Sequence, residues 1–142
     1  MSNPFVSREQ ISLATAQSLV GEAVQHAQKL GIAVSVAVTD GAGNIIASAR
    51  MDDAPLGAMR LATDKAYTAT LWQIPSGDLR LSSQPGGDDW GVTTTEGGRV
   101  IVYEGGLPIF SALGLAGAIG VSGGTGAQDA ECGQTAISKV LR

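Results

Sequence analysis

Two stretches of this chain alternate large and small side chains, and that alternation constrains the fold more than any other feature. From Ile32 to Asp40, the residues Ile32, Val34, Val36 and Val38 share one face of an extended strand, and Ala33, Ser35, Ala37 and Thr39 share the other. Leu115 to Ser122 repeats the pattern, with Leu115, Ile119 and Val121 opposite Ala116, Ala118, Gly120 and Ser122. Strands of this kind are buried on both sides, and the small face must let a second layer come close. Glycine fits the same requirement: there are 20 in 142 residues, about twice its average share of about 7%.

The rest of the chain supplies the layers. Ser7-Arg8-Glu9-Gln10 has the form of a capping box, and Leu13, Ala16, Val20, Ala23, Ala27 and Leu30 form a one-sided apolar stripe closed by Gly31, so a first helix is expected from Arg8 to Leu30. Asp40 to Asn44 has turn chemistry, and Ile45 to Met51 resumes an extended pattern, which makes the first two strands a hairpin. Asp52-Asp53-Ala54-Pro55 offers a carboxylate cap and a first-turn proline for a second helix facing inward with Leu56, Met59, Ala62, Ala66 and Ala69. Ser76 to Leu81 is a candidate short helix, Val100 to Tyr103 and Pro108 to Phe110 are candidate short strands, and a last helix is expected from Gln128 to Leu141. The hairpin leaves no room for a crossover helix, which favours an α+β domain with an antiparallel sheet over a doubly wound parallel one. With no domain boundary or internal repeat, residues 1–142 read as one domain.

Composition removes several classes of function. Lys and Arg total 9 against a net charge of −4, and aromatic residues make up 4%, so neither a phosphate-neutralising stripe nor a stacking platform for nucleic acid is present. The longest apolar stretch, Leu113 to Val121, falls well short of the roughly 20 residues of a membrane span, and no secretory signal is evident, which points to the cytoplasm. One cysteine, Cys132, and one histidine, His26, exclude a disulfide within the chain and any multi-Cys or multi-His metal cluster.

Several ordered segments carry a family resemblance. Val36-Ala37-Val38-Thr39-Asp40 with Gly43, Arg50-Met51-Asp52-Asp53-Ala54-Pro55, Lys65-Ala66-Tyr67-Thr68-Ala69, Glu104-Gly105-Gly106-Leu107-Pro108, and Gly117 to Gly123 with Gln128-Asp129 together resemble the GlcG/HbpS-like family. That family includes the C-terminal domain of PduO-type corrinoid adenosyltransferases, and the resemblance runs from about Ser7 to Leu141. It implies a profilin-like α/β/α sandwich with a central five-stranded antiparallel sheet, homo-oligomers, and haem as a ligand of some members. The chain departs from the family at Asn44, where a turn histidine is common, and at Asp53, where glycine is common. Without the turn histidine, His26 is the sole imidazole available to iron.

The candidate site residues follow from their chemistry. Arg50 ends a strand and Lys65 sits on the flank of the following helix, a combination able to hold a carboxylate or haem propionate. Asp52 and Asp53 lie between them and serve equally well as helix caps. Glu104, before Gly105 and Gly106, is the candidate general acid or base, with Asp52 as the other; an exposed glutamate on a glycine-rich hairpin is the plainer reading. Ser122-Gly123-Gly124-Thr125-Gly126 precedes a helix and could bring Ser122 and backbone N–H groups to an anion, but a cap and tight turn also account for it. His26, the candidate iron ligand, lies one turn after Glu22 and reads alternatively as its surface partner. Cys132 reads as a small buried hydrophobe. Two functions result: binding of haem, another tetrapyrrole or a small carboxylate, or a cofactor-independent isomerase, lyase or hydrolase of small-acid or aromatic catabolism.

Overall fold

The computed structural model describes residues 1–141. Along the chain, α1 (Leu13–Leu30) leads into the hairpin β1 (Ser35–Asp40) and β2 (Ile45–Arg50), then α2 (Ala58–Trp72). Short 3₁₀ turns at Ser76–Leu79, Val92–Thr94 and Glu96–Gly98 follow, and β3 (Gly106–Ser111), β4 (Gly114–Ser122) and α3 (Gly126–Val140) complete the chain. All strand pairs are antiparallel, in the order β2-β1-β4-β3.

The two faces of the sheet divide as the alternation requires. Val36, Val38, Ile119 and Val121 join Leu19, Ala23, Cys132 and Ala136 in the main core, under α1 and α3. Residues directly opposite in antiparallel strands share a face, so the pairs Ser35↔Ser122, Ala37↔Gly120 and Thr39↔Ala118 form the small face. This face receives α2, whose Ala66 and Ala69 pack on Ala118. Gly120 is where the backbones meet: a Cβ there would run into the Ala62 carbonyl and come within 2.8 Å of the Ala66 nitrogen.

The sheet has four strands among the described residues, one fewer than the resemblance implied. Val100 to Tyr103 is the segment that does not join it, because side chains satisfy its backbone. The Ile101 N–H donates to Thr68 Oγ1 at 3.0 Å, and the Tyr103 carbonyl accepts from Ser76 Oγ at 2.6 Å. Pro108, which cannot donate to a ladder, is accommodated on the edge strand β3.

Two helix starts differ from the local signals. In α1 the cap is Ser12, which accepts from Thr15 N–H at 3.1 Å, and not Ser7. Ile11 decides this, since its buried side chain and its N–H bond to the Ala116 carbonyl (3.2 Å) tie the lead-in to the sheet and delay the helix. In α2, Asp52 and Asp53 do not cap; the helix begins after Gly57 with no side-chain cap. They occupy a turn closed by Ala54 N–H to the Met51 carbonyl, with Asp53 left-handed at φ 64°. At α3 the cap reading holds. Thr125 and Gln128 form a reciprocal capping box, and the helix starts at Gly126, two residues before the expected position.

Candidate functional site

Most of the candidate residues gather at one end of the sheet, where β1 begins and β4 ends. The row Arg50–Ser35–Ser122 crosses the sheet there on the α2 side, and β3 enters beside it, with Gly106 paired to Gly120. The end is nevertheless divided between an exposed rim and a sealed interior.

The interior holds Lys65. Its residue is 2% exposed, and its Nζ donates to Asp129 Oδ2 at 3.0 Å and to the Val121 carbonyl at 2.9 Å. The second bond has a clear structural purpose. The β3–β4 register ends at Gly106↔Gly120, so the Val121 carbonyl lies beyond the ladder and the ammonium serves it instead. Asp129 is shared in turn, its Oδ1 accepting the Gly124 N–H at 2.8 Å. Burial pulls the Lys65 ammonium pKa down; the nearby carboxylates of Asp129 and Glu104 push it back without cancelling the effect. Gly105, at φ 129°, lies so close that a Cβ would stand 2.9 Å from Nζ. Ser76 completes the lining by accepting the Gly106 N–H at 2.9 Å. Lys65, Gly105, Gly106 and Ser122 are therefore enclosed together, and the expected surface pairing of Arg50 with Lys65 does not form.

The rim holds Arg50, Asp52 and Glu104, all exposed. Among the described residues Arg50 takes part in no ion pair. Its strand has one face lined by Ala47 and Ala49 against the core, while Ser48 and Arg50 lie on the side toward α2 and stay exposed.

His26 belongs to the other layer. Its Nε2 lies 2.9 Å from Glu131 Oε2, linking α1 to α3, and Glu22 faces Lys139 at 3.6 Å. The helix-neighbour pairing of His26 with Glu22 is thus replaced by one between helices. Cys132 is buried, and desolvation pushes its thiol up to about 11, so it is not an activated nucleophile.

Two features had no signal in the sequence. The role of Asp129 is one, because nothing local connects it to a lysine 64 positions earlier. A cleft of about 510 Å³ opens at the far end of the sheet, between the lead-in to α1, the β1–β2 turn, the end of α2 and the β3–β4 turn. None of the candidate site residues lines it.

The model of the "Haem degrading protein HbpS-like" family matches residues 11–138. The chain belongs to this family. Among its relatives, an uncharacterized 15.0 kDa protein from the dhaT-dhaS intergenic region of Citrobacter freundii is 33% identical over 127 residues, which are 89% of each chain. Protein ORFY of Klebsiella pneumoniae superposes with a TM-score of 0.95 at 30% identity, over 100% of this chain and 99% of that one. The PduOC:haem complex superposes with a TM-score of 0.89 at 32% identity, over 93% and 96%.

Within this HbpS-like chain, both sequence departures have a structural setting. Asn44 supports the hairpin turn, its N–H donating to Asp40 Oδ1 at 2.9 Å and its Nδ2 to Oδ2 at 3.3 Å. Asp53 occupies a left-handed turn position, which explains why glycine suits that place in a family sharing this backbone.

Proposed function

We propose that this chain is a single-domain small-molecule-binding protein whose ligand carries a carboxylate: haem, another tetrapyrrole, or a small carboxylic acid. The observation that supports it most is the likeness to a domain in complex with haem, at a TM-score of 0.89. Arg50 is the group to receive the carboxylate, since it is exposed, faces the side of β2 that α2 leaves open, and has no ionic partner among the described residues. For haem, His26 is the imidazole to ligate iron; with Nε2 engaged by Glu131, Nδ1 is the free nitrogen. Homo-oligomers belong to the same reading, because Leu56, Leu81 and Trp90 are 93%, 87% and 66% exposed.

The experiment is a haem titration followed at the Soret band, with a small carboxylate as competitor. Arg50→Ala should weaken the carboxylate-bearing ligand by about 1–3 kcal/mol with the fold intact, and His26→Ala should remove any low-spin signature. Unchanged affinity in Arg50→Ala would sink the assignment.

A second reading, a cofactor-independent isomerase, lyase or hydrolase, draws on Glu104. This exposed carboxylate acts electrostatically on the buried Lys65 ammonium, which is the coupling a general acid or base uses. Asp52, exposed beside Arg50, is the alternative proton-transfer group.

A further inference from the structure

The far-end cleft uses none of the residues discussed for haem or carboxylate binding, and its walls are held in place. The lead-in carrying Arg8, Glu9 and Gln10 is anchored directly afterwards by the buried Ile11 and its bond to the Ala116 carbonyl. On the opposite wall, Asp40 Oδ1 accepts the N–H groups of Ala42 and Asn44, each at 2.9 Å. Burial is the largest single influence on the Asp40 carboxyl and raises its pKa, but the hydrogen bonds from Asn44, Ala42 and Gly43 together outweigh it and hold the group below its ordinary value and ionised. The third wall is the end of α2, where Gln73 takes a left-handed conformation (φ 57°) to stop the helix at the cleft.

The charges in this volume are not neutralised by ions of the described chain: the Asp40 carboxylate is bonded only to amides of its own turn, among them those of Ala42 and Asn44. Among the described residues, neither Arg8, Glu9 nor Asp40 enters an ion pair. Two carboxylates against one guanidinium make the cleft unfavourable for a simple dianion or a propionate-bearing ring. Among the described residues no aromatic side chain lines it, so there is no platform for a planar macrocycle, a nucleobase or a sugar face. A small molecule with one positive and one negative group fits these charges. The Gln10 and Gln73 amides donate and accept, and Thr70, whose hydroxyl donates to the Tyr67 carbonyl at 2.6 Å, keeps lone pairs to accept. A volume of about 510 Å³ lies within the range of small-molecule sites.

We propose that this cleft binds a free α-amino acid as its zwitterion. The carboxylate meets Arg8, the ammonium meets Asp40 and Glu9, and the side chain lies along Gln10 and Gln73. This site is separate from the Arg50 surface, so either can fail without the other.

The test is a ¹⁵N-correlated titration of the full chain with each proteinogenic L-amino acid to millimolar concentration, repeated with the N-acetyl and carboxamide forms of the tightest binder. Saturable shifts are expected at the amides of Gly41, Ala42 and Gly114. Each form lacking one charge should bind roughly tenfold more weakly, as should Arg8→Gln, the size of one lost charge-assisted bond. Arg50→Ala should leave the titration unchanged. The proposal is overturned if no amino acid gives saturable shifts, if the singly charged forms bind as well as the zwitterion, or if Arg8→Gln has no effect.

Discussion

The two ends of the sheet treat their charged residues in opposite ways. At the β4 C-terminal end, Lys65 and Asp129 are 2% exposed each and bonded to one another and to the backbone. At the hairpin end, Arg8 and Glu9 are exposed and unpaired among the described residues, and Asp40 faces an open cleft. The motif-rich segments, Lys65 to Ala69 and Glu104 to Pro108, build the sealed end, whereas apart from Asp40 the residues lining the open one lie outside the segments that carry the resemblance. A lysine and a glycine from two separate family segments that meet in the fold can therefore mark where backbones are locked together, and not where a ligand enters.

The sharpest way to break this contrast is at Lys65. Lys65→Ala leaves the Asp129 carboxylate buried without its ion-pair partner and should cost about 3–5 kcal/mol in denaturant unfolding. The double variant Lys65→Met/Asp129→Leu, apolar at both positions, should recover a large part of that loss. A small effect of the single change would mean that the sealed end is open in solution.

Gly120→Ala tests the same end through packing alone. The added Cβ meets the Ala62 backbone, which cannot move like a side-chain tip, so a loss of about 1–3 kcal/mol is expected from thermal or urea unfolding. Tolerance of this change would show that α2 sits further from the sheet.

At the open end, Asp40→Ala removes the acceptor that closes the hairpin turn and should cost about 1 kcal/mol. Because the folded-state pKa lies below its ordinary 3.8, the Asp40 contribution is present in full above about pH 5. It is lost as pH falls through the lower folded value, so the stability gap between wild type and variant should narrow on acidification. A gap that widens toward low pH contradicts an ionised Asp40.

The smallest expected effect completes the comparison. Arg8→Ala should change stability by no more than about 0.5 kcal/mol, the usual range for a surface change away from any structural contact. A larger loss would place Arg8 in the architecture of the fold and remove the difference between the ends.

Which parts of this protein were legible depends on the distance over which the deciding interaction acts. The alternation in Ile32–Asp40 and Leu115–Ser122 determined which face of the sheet carries the large side chains of the main core and which lets a helix backbone come close, because side-chain direction in a strand is set residue by residue. Turn and cap residues at Asp40–Asn44 and Thr125–Gln128 were readable for the same reason, each bond closing within four positions. Where two local signals competed, the tertiary structure chose: Ser7 and Ser12 can both cap a helix, and the burial of Ile11 selects the second. Candidate-site residues were named from the sequence, but their grouping was not. Lys65 is enclosed because α2, α3 and the entry to β3 converge on it, and Arg50 is exposed because α2 stops short of β2. The far-end cleft is the extreme case. It exists only where four separate segments meet, and an ion pair or a cavity is a property of that meeting, which no single stretch of chain encodes.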